Sequence, residues 1–112
     1  MNLKYDTSSM KKIKQYIVNT FTDKLFSGNP AAICLIEKWL PDELMMKIAM
    51  ENKLSETAFV VRENEQYKLR WFTPKMEIDL CGHATLAATY VITSFVEPNK
   101  KTISFNTRRG VL

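Results

Sequence analysis

Cys81 and His83 flank Gly82 in the run Asp79-Leu80-Cys81-Gly82-His83-Ala84-Thr85, after which the chain is almost wholly apolar as far as Val96. A thiol and an imidazole thus stand where a short extended segment hands over to a helix. The first turn of a helix carries unpaired N–H groups and the positive end of the dipole, so a carboxylate or enolate can be held there without metal or cofactor. Gly82 leaves room for a ligand to approach the backbone. Glu56 lies upstream, between Leu54 and the apolar run Ala58-Phe59-Val60-Val61. A carboxylate in an apolar cleft can take a proton from carbon beside an electron-withdrawing group and return one elsewhere. Plainer readings stand beside these. Most glutamates at a strand start are solvated, and a histidine at a helix start can serve as a cap or a packing residue.

The elements that must position these groups follow from periodicity. Ile13 to Phe21 reads as a strand, followed by a loop carrying Ser27-Gly28-Asn29-Pro30. Ala31 to Ile36 is unbroken by polar residues and reads as a strand covered on both faces. Pro41, Asp42 and Glu43 open a helix that ends near Asn52 to Leu54. Thr57 to Arg62 and Tyr67 to Phe72 form a hairpin, with Tyr67, Leu69 and Trp71 alternating with Lys68 and Arg70. Met76, Ile78 and Leu80 make a further short extended piece that delivers the chain to Cys81. The helix from Ala84 to Val96 has apolar side chains on almost every face and is expected to be enclosed. The economical arrangement is an α+β design: a curved, mostly antiparallel sheet around one central apolar helix. Thr102 to Asn106 alternates as another strand, and Val111-Leu112 starts a further apolar one, so the domain is expected to be incomplete.

Length and composition narrow the class. The 112 residues suit one modest domain, and 46% hydrophobic with 25% charged residues excludes a disordered chain. A net charge of +4 invites nucleic acid, but the lysines and arginines are scattered rather than striped among aromatics, so no nucleic-acid partner is expected. Cys34 and Cys81 form no disulfide framework, and with the single histidine His83 they make no zinc motif, which fits a reducing cytoplasm. No membrane span or secretion signal is evident. Residues 1–9 are polar and aperiodic and are expected to be a disordered extension, with residues 10–112 forming the domain.

Four ordered motifs coincide: Thr20-Phe21-Thr22-Asp23 with Gly28-Asn29-Pro30-Ala31-Ala32; Asn52-Lys53-Leu54-Ser55-Glu56-Thr57-Ala58-Phe59-Val60; Leu69-Arg70-Trp71-Phe72-Thr73-Pro74; and Asp79-Leu80-Cys81-Gly82-His83-Ala84-Thr85. Together they resemble the N-terminal part of the PhzF-like phenazine-biosynthesis family, itself similar to diaminopimelate epimerase. The resemblance covers residues 12 to 112. It implies a diaminopimelate-epimerase-like fold of two similar domains, with a cofactor-free site in the cleft between them and no metal. The family's acid/base glutamate matches Glu56 in Ser-Glu-Thr, its glycine and histidine match Gly82 and His83, and its substrate-side loop matches Gly28, Asn29 and Pro30.

The implied function is isomerisation or epimerisation of a small carboxylate-bearing metabolite, with Glu56 and His83 catalytic and Asn29, Gly82 and Cys81 against the substrate. An aspartate that the family places in its second domain has no counterpart here. In the related epimerases a cysteine beside the glycine is itself an acid/base, aided by a helix terminus that lowers a thiol pKa. Cys81 is read instead as lining the pocket, because Glu56 is available and a second cysteine is not. Asn29 either binds substrate or fixes its loop. The alternative function is non-catalytic: a fragment that folds, binds an anion, or forms a homodimer through the face a second domain would cover.

Overall fold

The computed structural model describes residues 2–6, 11–20, 29–79, 81–108 and 110–111. In chain order the elements are β1 (Asn2–Asp6), β2 (Lys11–Thr20), β3 (Asn29–Ile36), α1 (Asp42–Asn52), β4 (Glu56–Glu63), β5 (Gln66–Phe72), β6 (Glu77–Ile78), α2 (Gly82–Val91), β7 (Phe105–Thr107) and β8 (Gly110–Val111). The strands form one sheet in the order β1-β2-β3-β4-β5-β7-β8, with β6 pairing β5 to one side. Pairing is antiparallel except for β3 with β4 and β5 with β7. This is the α+β, mostly antiparallel architecture that the periodicity predicts.

Alternation sorts the central strands onto two faces. Ala31 and Ile33 of β3, Ala58 and Val60 of β4, and Leu69 and Trp71 of β5 meet Ala84, Ala87, Ala88 and Val91 of α2. Cys34, Phe59 and Phe72 point the other way, onto Met45, Ile48 and Ala49 of α1. The sheet is therefore filled on both sides, which is why β3 reads as an unbroken apolar run.

Three expectations need correction. Residues 2–6 do not lie outside the fold: they pair antiparallel with β2, from Asn2 opposite Gln15 to Asp6 opposite Lys11. Five residues are too few to show a period, and an edge strand needs only backbone partners on one side. The helix is not enclosed all round. Leu86, Tyr90 and Phe95 are about half exposed, because the sheet covers only the alanine and valine side of α2. Finally, α2 does not run regularly to Val96. Residues Ile92–Val96 form a π-helical turn, closed by the Glu97 N–H donating to the Ile92 carbonyl at 2.7 Å. Thr89 and Thr93 hydroxyls donate to the carbonyls of Thr85 and Thr89 at 3.0 and 2.9 Å, side-chain competition of the kind that distorts helices. The widened turn carries the Phe95 ring onto Tyr16 of β2, centroids 4.9 Å apart and stacked.

One charged cluster ties α1 to the sheet. The Arg70 guanidinium donates to both Glu77 carboxylate oxygens at 2.7 Å and to Asp42 Oδ1 at 3.1 Å, and it lies over the Trp39 and Phe72 rings. Hydrogen bonding from Arg70 holds the Glu77 carboxyl below its ordinary value of 4.5. A carboxyl with a depressed folded pKa contributes stability that is present above its unfolded pKa and lost as pH falls through the folded value. Acidifying below pH 4.5 should therefore lower the urea midpoint, and Glu77→Gln should remove that part of the slope while costing about 1.5 kcal/mol at pH 7. An unchanged acid slope in Glu77→Gln would show that other carboxyls carry it.

Candidate active site

Glu56 opens β4, and strand parity decides where it points. Residues 56, 58 and 60 share a face, and Ala58 and Val60 lie against α2, so Glu56 is delivered beside the start of that helix. The chain reaches it through a tight exit from α1. Lys53 is left-handed (φ 57°) and donates its N–H to the Ala49 carbonyl at 3.3 Å, which stops the helix three residues before the acid. On the opposite face, Asn52 Nδ2 donates to Gln15 Oε1 at 2.9 Å and to Thr57 Oγ1 at 3.1 Å, and the Cys34 thiol donates to the same Gln15 oxygen at 3.2 Å. This buried knot anchors the residue next to Glu56 from behind. Sequence reasoning missed it, because Gln15 and Asn52 are polar and lie 37 positions apart.

His83 sits in the first turn of α2, whose start is also pinned. The Thr85 N–H and hydroxyl both donate to the Cys81 carbonyl, at 3.1 and 2.8 Å, and the Trp71 indole N–H donates to the Thr85 hydroxyl at 3.1 Å. Trp71, which the sequence shows only as one of the alternating residues of its strand, is also the sheet's hydrogen-bonding hold on the helix mouth.

The two elements bring Glu56 and His83 together: Glu56 Oε2 lies 2.7 Å from His83 Nε2, with both side chains largely buried. The other ring nitrogen, Nδ1, is 3.5 Å from Cys81 Sγ. Carboxylate, imidazole and thiol thus form one continuous group. A helix terminus by itself lowers a thiol pKa, and the Cys81 thiol moves the other way. Burial pushes it up, and Glu56 adds to the rise, against the amides of Ala84 and His83, which pull it down. A helix terminus alone predicts the wrong sign, because desolvation of a thiolate outweighs two N–H groups here. Cys81 is accordingly a poor base at neutral pH.

Gly82 begins α2 and is exposed, and a Cβ built on it meets nothing within 4 Å. Neither backbone strain nor crowding within the described residues requires glycine there. Gly82→Ala should therefore leave folding intact, with thermal unfolding showing a gain of about 0.5 kcal/mol from reduced unfolded-state entropy. A large loss of stability would refute that account. Asn29 begins β3, two residues before Ala31, whose Cα is paired with Glu56, so its backbone lies at the same end of the sheet. The side chain of Asn29 and all of Gly28 lie outside the described residues.

The sequence of this chain matches the family model described as phenazine biosynthesis-like protein, PhzC-PhzF, over residues 18–112. It is 52% identical over 95 residues to an uncharacterized isomerase of Pseudomonas aeruginosa, a match that takes in 85% of this chain and 37% of that protein. A human phenazine biosynthesis-like domain-containing protein is 41% identical over 109 residues, 90% of this chain and 38% of its own length. The fold superposes on the crystal structure of a PhzF-family phenazine biosynthesis protein from Enterococcus faecalis with a TM-score of 0.85 and 51% identity, covering 89% of this chain and 38% of that one. The chain thus spans well under half the length of these relatives.

Proposed function

Because this chain belongs to the phenazine biosynthesis-like PhzC/PhzF family, whose relatives include proteins named as isomerases, we propose that it carries one wall of an acid/base isomerase site for a small carboxylate-bearing metabolite. Glu56 is the general base and acid: it takes a proton from carbon next to the electron-withdrawing group, exchanges it with solvent, and returns one at another position. His83 holds the carboxylate in one rotamer through the 2.7 Å contact, and as a donor it steadies the negative charge that develops on the substrate. The first turn of α2 supplies backbone amides and dipole to the same charge, and the open space over Gly82 admits the anion. Cys81 lines the pocket. Asn29 contacts the substrate from the start of β3. Glu56 carries the proton while the imidazole steadies charge, and the reading asks for no cofactor.

The observation that carries this reading is the Glu56–His83 contact at a helix mouth where, among the described residues, nothing lies within 4 Å of a Cβ built on Gly82. The test is proton exchange in the full-length protein: a panel of small unsaturated or hydroxylated carboxylic acids is incubated in deuterated water and followed by proton NMR. Enzyme-dependent loss of a C–H signal beside the activating group is expected for a substrate. Isomer formation with no solvent deuterium in either substrate or product would overturn the solvent-exchanging acid/base role.

A further inference from the structure

We propose that Cys81 and His83, with Glu56 behind the ring, form a binding site for one soft divalent transition-metal ion of the Zn²⁺ type, which blocks the mouth of α2. The donor set is the first ground. Cys81 Sγ and the His83 imidazole are the two ligands, within a Glu56–Cys81–His83 group whose ligand atoms all lie within 4.8 Å of one another, and Glu56 backs the ring instead of binding the ion. Thiolate and imidazole together select zinc-like ions over Mg²⁺ or Ca²⁺, which prefer oxygen.

Spacing is the second ground. Tetrahedral zinc, with bonds of about 2.3 Å to sulfur and 2.0 Å to nitrogen, separates those two ligands by roughly 3.5 Å. Cys81 Sγ and His83 Nδ1 already stand 3.5 Å apart. The third ground is the orientation of the imidazole. Glu56 Oε2 faces Nε2 at 2.7 Å, so a ring that donates Nε2–H to the carboxylate turns the Nδ1 lone pair towards the sulfur. A carboxylate behind an imidazole is the recurrent outer support of metal-bound histidine. Binding exchanges the thiol proton, released to solvent, for the S–metal bond. Water or a substrate carboxylate completes the coordination. The ion is inhibitory, and the site rests on donor geometry, independently of the proton-transfer role.

Co²⁺ titrated into the purified chain tests this. A saturable one-to-one complex with a sulfur-to-cobalt charge-transfer band is expected. The band should be displaced by Zn²⁺, lost in Cys81→Ser and in His83→Gln, and kept in Cys34→Ser, whose thiol lies on the other face of the sheet. Glu56→Ala should weaken binding about tenfold. Because Cys81→Ser can impair folding, alkylation of Cys81 in the unaltered chain is followed in parallel by mass spectrometry. Zn²⁺ at about ten times its Kd should slow the reaction about tenfold, while Mg²⁺ leaves it unchanged. Absence of the thiolate band, a band that survives Cys81→Ser, or an alkylation rate indifferent to Zn²⁺ would each overturn the site.

Discussion

Glu56→Gln in the full-length protein should lower substrate proton exchange with deuterated water by about 10²- to 10⁴-fold, with ligand affinity changed far less. Glutamine keeps the length of the side chain and an oxygen that accepts from His83, so the site should keep its shape. What it removes is the ability to hold a proton between two substrate carbons. A paired measurement of exchange by NMR and of inhibitor affinity by calorimetry separates the two effects. Exchange that persists at the wild-type rate would transfer the base role to another residue. His83→Gln should fall in between, since imidazole acts on the carboxylate and on the developing charge but need not carry the transferred proton.

Trp71→Ala is expected to have the largest effect on stability. The side chain is only 1% exposed and lies among Ala58, Leu69, Ala84 and Ala88 between the sheet and α2. Removing it leaves an aromatic-sized void, a loss of about 3–5 kcal/mol. It also removes the hydrogen bond that the Thr85 hydroxyl accepts from the indole, about 1 kcal/mol more. A domain of this size has roughly 5–15 kcal/mol in all, so the variant should unfold at much lower urea. Trp71→Phe keeps most of the volume and should lose about 1–2 kcal/mol, most of it the hydrogen bond. Circular dichroism in urea decides the matter; equal midpoints for the two variants would refute the packing account.

Much of the framework is legible in the sequence, for reasons visible at particular positions. The uninterrupted Ala31-to-Ile36 run announces a strand buried on both faces, and Tyr67, Leu69 and Trp71 announce their pleat by strict alternation. Parity then implies that Glu56 shares the face of Ala58 and Val60. What periodicity does not disclose is that this face meets the start of α2, which depends on a crossing 27 positions further along the chain and became visible only through the family's motifs. The exposed side of α2 was hidden because an all-round apolar helix reads as enclosed, whereas only its small residues are covered. The upward shift of the Cys81 thiol leaves no signal in the sequence, because burial and a carboxylate from another strand are properties of the folded chain. Polar residues read as surface, so the Gln15–Asn52–Thr57 knot left no signal at all.

The division of labour along β4 has a consequence for how errors propagate. Glu56 serves the chemistry, while its neighbour Thr57 serves the knot on the reverse side. A slip of β4 by one residue would turn the acid away from the imidazole and put a hydroxyl in its place. The same slip would also push Phe59 into the alanines of α2. Misfolded and inactive are therefore a single condition for this strand, and the accuracy of the acid is guaranteed by the bulk of its hydrophobic neighbours.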